Sequence, residues 1–119
     1  MYEYYNANAR GNFVDDCVVR AISVAENNTW DYTYNKLSDL AQAQGRMIDD
    51  AVFVRGYLDR HYTRIPKTNI SVGELASEYP DKVLLITMKG HITCSIPPNG
   101  TIIDSFDCRN RMVEDAWIV

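Results

Sequence analysis

The chain of 119 residues is 46% hydrophobic and 24% charged, with a formal net charge of −4. That is the balance of one globular domain burying somewhat over ~60% of its unfolded surface, not of a disordered segment. A pI of about 5.0 with scattered Lys and Arg argues against a nucleic-acid partner. No apolar run approaches the ~18 residues that span a bilayer, and "MYEYYNANARG" lacks the basic-then-apolar order of a signal peptide, so no membrane association is expected.

No repeat, low-complexity tract or linker divides the sequence, and residues 1–119 are expected to form a single domain. In chain order, Asp15 or Asp16 can cap a helix running through about Ala25. Its Val18, Val19, Ala21, Ile22, Val24 and Ala25 are apolar on nearly every side, the mark of a helix buried centrally. "NTWDYTYNKLSDLAQAQG" follows as an amphipathic surface helix, with Thr29 as cap, Trp30, Tyr34, Leu37 and Ala41 on one stripe, and Gly45 as the stop. A shorter helix is expected from Asp50 to about His61. A fourth lies in "SVGELASEYP", where Ser71 and Glu74 have capping-box spacing and Pro80 ends the run. Beyond Pro80 the periodicity changes: "KVLLITM" reads as a buried strand, "HITCSI" alternates, "PPNG" turns, "TIIDSF" returns and "AWIV" closes the sheet. Helices first and an antiparallel sheet second make an α+β domain.

Cys17 stands in the first turn of the central helix, where unpaired backbone N–H groups and the positive end of the macrodipole favour thiolate, the nucleophilic form. Asp15 and Asp16 oppose this as like charges unless their carboxylates are engaged in capping or on Arg20, four residues after Asp16. An imidazolium is the usual further stabiliser of such a thiolate. Of the 2 histidines, His61 between Arg60 and Tyr62 reads as solvated, and His91, behind Gly90 at the start of an alternating strand, is the candidate. If Ile96 pairs with Thr101, Thr93 stands opposite Asp104 and Phe106 opposite His91. His91 and Asp104 are then diagonal neighbours on one face, about 7–8 Å apart at the backbone and within side-chain reach. A slip of one residue in the loop reverses this. The same parity sends Cys94 to the core opposite Ile103 and turns Asp107 away. Cys108, next to Arg109, is left as the thiol expected to compete with Cys17 for alkylation.

Three cysteines without paired spacing fit a reducing, cytoplasmic setting, or a piece of something larger, better than a disulfide framework. His91, Cys94, Cys108 and Cys17 also reach the ligand count of zinc. "HITC" in a strand, however, points its His and Cys to opposite faces and no C-x-x-C pair exists, so no metal and no organic cofactor is expected. The eight tyrosines read mostly as packing, although "YEYY" could line a groove or an interface.

A cysteine opening a buried helix, "GH" beginning a strand and an aspartate on the next strand resemble the Cys…His…Asp order of papain-like cysteine peptidases. The stretches "DDCVVRAIS", "TNISVGELASEYP", "KGHITCSI" and "GTIIDSFDCRNRMVEDAWIV" resemble, across nearly the whole chain, small papain-fold proteins similar to the bacteriocin-processing C39 peptidases, which are common in bacteriophages and prophages. The resemblance implies a papain-like fold with Cys17 as nucleophile, His91 as general base and Asp104 as the residue orienting the imidazole. It also implies acyl transfer on a peptide or isopeptide amide, in the host bacterial cytoplasm if phage encoded. The family carries a Gln shortly before the cysteine, whereas no Gln precedes Gln42 here. Asn12 has the same amide chemistry and is the oxyanion-hole candidate, beside its reading as a turn residue after Gly11. The alternatives to an enzyme are a catalytically inactive papain-fold module that binds a host or viral protein, and a structural phage component.

Overall fold

A computed structural model describes residues 1–66 and 69–119. Thr68, within the quoted stretch "TNISVGELASEYP", lies outside the described residues. The central helix α1 (Cys17–Glu26) begins at the cysteine and buries Val18, Val19, Ala21, Ile22 and Ser23. Helix α2 (Trp30–Ala43) is capped by the Thr29 side chain, which accepts from the Tyr32 N–H. Its buried stripe is Thr33, Leu37 and Ala41 rather than the expected Trp30, Tyr34, Leu37 and Ala41. Tyr34 is exposed and stacks on Trp30 with ring centroids 5.0 Å apart, so the pair flanks the core instead of entering it. Asp50 caps α3 (Ala51–His61) by accepting from the Phe53 N–H. Ser71 caps α4 (Val72–Glu78) by accepting from the Glu74 N–H, one half of the capping box expected from the spacing, while its hydroxyl donates to the Glu74 carboxylate.

The strands are β1 (Tyr2–Tyr4), β2 (Thr63–Ile65), β3 (Leu84–Met88), β4 (His91–Ile96), β5 (Thr101–Asp104) and β6 (Asp115–Ile118). They form one sheet in the order β1-β5-β4-β3-β6-β2. The α+β class stands, but the purely C-terminal antiparallel sheet does not. β1 comes from the N-terminus and pairs parallel with β5, Tyr2 opposite Ile102 and Tyr4 opposite Asp104, while β2, from between two helices, pairs antiparallel with β6. "YEYY" is thus largely an edge strand. Each of these edge strands has 3 residues, too few to show a period of two, and both are held by partners far away in the chain.

Side-chain alternation on β3 divides the core between the two faces of the sheet. Leu85, with Ile92, Cys94 and Trp117, packs against α1 and α3. Leu84, Ile86 and Met88, with Ile102 and Ala116, pack against Val72, Leu75 and Ala76 of α4. Among the described residues no helix is long and apolar enough to cross a membrane.

One detail of pairing positions the site. β4 pairs with β3 along His91–Ser95, yet its ladder with β5 holds only Cys94, Ser95 and Ile96 against Ile103, Ile102 and Thr101. This is the register expected from the "PPNG" turn, and it ends just before His91, Thr93 and Asp104, whose side chains are met there by the start of α1.

Candidate active site

Cys17 is half-buried and opens α1, so its N–H lies outside the intrahelical ladder. Asp16, at the N-cap, makes no capping bond with its side chain. Its carboxylate instead accepts from Arg20 Nε at 2.8 Å and from Trp30 Nε1 at 2.9 Å. Of the two like charges the sequence sets against Cys17, that of Asp16 is therefore engaged on Arg20. Asp15 is exposed at the rim of the cleft that Cys17 lines.

Arg20 also joins α1 to β5. Its Nη1 donates to Asp104 Oδ1 at 3.2 Å and to the Ser105 hydroxyl at 2.6 Å. The other oxygen of the buried Asp104 carboxylate, Oδ2, lies 2.7 Å from His91 Nε2, which leaves Nδ1 as the ring nitrogen not bound to Asp104. Burial by itself would favour the neutral imidazole. Burial is the largest single influence, but the hydrogen bond and charge of Asp104 and the bonds to the Cys108 and Cys17 thiols together exceed it and hold the His91 pKa well above that of a free imidazole. Asp104 answers in kind: burial would raise its pKa, and the bond from His91 brings it below the ordinary carboxylate value. His91 and Asp104 thus form a buried ion pair at neutral pH, with side-chain exposures of 7% and 4%.

Phe106 follows the end of β5 and lays its ring against His91, centroids 4.6 Å apart, with the Arg111 guanidinium 5.1 Å above the Phe106 ring. The strand pairing expected between Phe106 and His91 is absent because β5 ends at Asp104, but the bend delivers the same contact. Cys17 and His91 line one open cleft whose walls include Phe13, Val14, Val54 and Trp117.

Asn12 does not join them. It is exposed, its carbonyl accepts from Asn6 Nδ2 at 3.1 Å, and it is not among the residues lining the cleft. Asp107 is exposed and engaged by Arg109. His61, exposed at the end of α3, bonds the Tyr57 carbonyl through Nδ1. Cys94 is fully buried opposite Ile103, where burial pushes its thiol pKa up.

Cys108 departs from expectation. It is fully buried rather than open to alkylation, because the turn after β5 carries it back beneath the sheet among Ile102, Ala116 and the α4 side chains. There its sulfur lies 3.8 Å from Asp104 Oδ2. One donor atom from each of His91, Asp104 and Cys108 falls within 4.8 Å of the others, so among the described residues the cluster that could hold a metal contains Asp104 and lacks both Cys94 and Cys17. The spacing of Arg20 four residues after Asp16 signals their bond, but nothing local signals that Arg20 also reaches Asp104 or that Cys108 turns back to it.

No family model fits the chain, and neither the curated proteins nor the solved structures include a match to it.

Proposed function

We propose that this chain is a papain-like cysteine peptidase-like hydrolase that cleaves a peptide or isopeptide amide, encoded by a phage or prophage and working in the host bacterial cytoplasm. The observation that carries the chemistry is the 2.7 Å bond between His91 Nε2 and Asp104 in a cleft shared with a helix-opening cysteine. In this scheme the Cys17 sulfur attacks the amide carbonyl, and the resulting oxyanion is met by the Cys17 N–H at the helix start. His91, held protonated by Asp104, gives its proton to the leaving amine and then serves as base for the water that releases the acyl group. Asp104 keeps the ring in place, and Arg20 keeps Asp104 in place. The provenance rests on the resemblance of the quoted stretches to small phage papain-fold proteins.

Iodoacetamide labelling followed by peptide mapping tests the thiol. Cys17 is expected to react first, while Cys94 and Cys108 stay unmodified in the folded protein. His91→Ala is expected to slow labelling of Cys17 at pH ~7 at least about 10-fold, the effect of removing a partner worth one pKa unit. Asp104→Asn has a smaller effect on labelling but abolishes turnover of a peptide substrate. Labelling of Cys17 indifferent to His91 would overturn the hydrolase.

A binding module is the second reading, and specific features favour it. Phe13 and Val14 on the cleft wall are 75% and 55% exposed, Asp15 places a negative charge at the rim, and Asn12 supplies no second oxyanion donor from the cleft wall. On this reading the same cleft holds a protein or peptide segment without cutting it, and Phe13→Ser abolishes binding while Cys17→Ser leaves it unchanged.

A further inference from the structure

We propose that His91, Asp104 and Cys108 form a binding site for a thiophilic divalent cation of the zinc type, and that its occupancy silences Cys17 by separating His91 from Asp104. The site stands independently of the hydrolase reading; only the consequence for Cys17 rests on it.

The three donors are an imidazole nitrogen, a carboxylate oxygen and a sulfur, the combination that borderline-soft cations take and that magnesium or calcium does not. They already lie within 4.8 Å of one another. A tetrahedral zinc centre places its donors about 3.3–3.8 Å apart, as follows from metal–ligand bonds of ~2.0–2.3 Å. The Cys108–Asp104 distance of 3.8 Å needs almost no change, whereas the His91–Asp104 contact of 2.7 Å must open to admit the ion. Cation binding and the orienting hydrogen bond are therefore mutually exclusive at Asp104 Oδ2.

The surroundings favour the ion once it is there. Cys108 is 0% and Asp104 5% exposed, and a thiolate formed at Cys108 is costly there without a cation beside it. Arg20 engages Oδ1 and Ser105, which holds the carboxylate with Oδ2 directed to His91 and Cys108. On binding, the Cys108 thiol and the His91 ring each release a proton to solvent. The sulfur, nitrogen and oxygen lone pairs pass to the metal with no change of oxidation state.

The test uses the whole reduced chain, freed of metal by a chelator, with Co²⁺ as spectroscopic probe and Zn²⁺ in calorimetry. Expected are one ion per chain, a near-ultraviolet sulfur-to-cobalt charge-transfer band, and labelling of Cys17 slowed by Zn²⁺ and restored by chelator. Cys108→Ser is expected to lose the band and at least about 10-fold in zinc affinity, since changes even to residues behind the ligands cost that much. Should Cys108→Ser fail to fold, the Cys17→Ser/Cys94→Ser chain, with Cys108 as its single thiol, must still give the band. Loss of the band in that double variant, or undiminished zinc binding by Cys108→Ser, overturns the site. Normal binding combined with unaltered Cys17 labelling overturns the silencing alone.

Discussion

Arg20 is the residue on which the candidate site depends most heavily without belonging to the triad. Its guanidinium spans two buried carboxylates, Asp16 and Asp104, and a hydroxyl, with only 13% of its side chain exposed. Removing it leaves Asp16 with only the neutral Trp30 donor and Asp104 with His91 as its one cation, and breaking a buried pair by deleting one partner costs about 3–5 kcal/mol. Arg20→Met is expected to lower unfolding free energy by that amount in urea denaturation and to slow labelling of Cys17, since Asp16 would then face the thiol uncompensated. Arg20→Lys should recover only part of it, because a single ammonium cannot fork between Asp16 and Asp104 as a guanidinium does. A loss under ~1 kcal/mol for Arg20→Met, the range of exposed pairs, would show that the network does not hold the site.

Between elements, the turn joining β4 to β5 is pinned against the end of α4. Gly100 has φ +66°, and a Cβ there would meet the Ala76 carbonyl oxygen at 2.2 Å. Gly90, with φ +70° in the β3–β4 turn, has nothing within 4 Å of that position. Both positions carry the left-handed penalty of about 1–2 kcal/mol for a residue with a Cβ, but only Gly100→Ala adds a backbone collision. Its unfolding free energy is expected to fall further than that of Gly90→Ala, by about 1–3 kcal/mol on the scale of overpacked sites. Equal losses would mean that α4 yields freely and does not brace the His91–Asp104 register. Glu26 plays a similar binding part at the far end of α1. It receives Lys36 at 2.5 Å and the Tyr57 hydroxyl at 2.8 Å, together with the Tyr62 hydroxyl, and so ties α1 to α2 and α3.

Over the whole molecule these buried charges set the pH range of stability. Burial pushes the Glu26 carboxyl up, but Lys36, Tyr62 and Tyr57 bring it below its ordinary value, as the His91 bond does for Asp104. Acids with lowered folded-state pKa values stabilise above their unfolded values, about 3.9–4.3, and lose that contribution as pH falls through the folded ones. His91, raised by Asp104 against the effect of its burial, acts oppositely. Its contribution is complete below about pH 6.5 and is lost as pH rises through its folded value. Thermal melts followed by circular dichroism are expected to decline below pH ~4 and again in alkali, the unfolded-state values marking where each loss begins. Glu26→Gln should lower stability near neutrality and flatten the acid limb. His91→Ala should flatten the alkaline limb. An acid limb as steep in Glu26→Gln as in the parent would assign it to other groups.

What the sequence determined by itself was most of what short-range rules govern, the face that α2 buries excepted. The start of α1 at Cys17, the caps at Thr29 and Ser71, and the register of Ile96 opposite Thr101 are set by neighbours a few residues apart. From that register, strand parity alone brought His91 to Asp104. Only the tertiary structure decided what depends on closing long loops. β1 lies against β5 with Tyr2 opposite Ile102, and β2 lies against β6; neither strand carries a pattern of its own. Arg20 reaches Asp104 across 84 residues of sequence, and the buried turn of Cys108 follows from where α4 and the sheet face enclose it. Asn12, plausible by chemistry and by its distance from Cys17, faces solvent instead. Periodicity and capping record the forces between adjacent turns of chain, while contacts between distant segments are chosen by the packing of the whole, which no local pattern encodes.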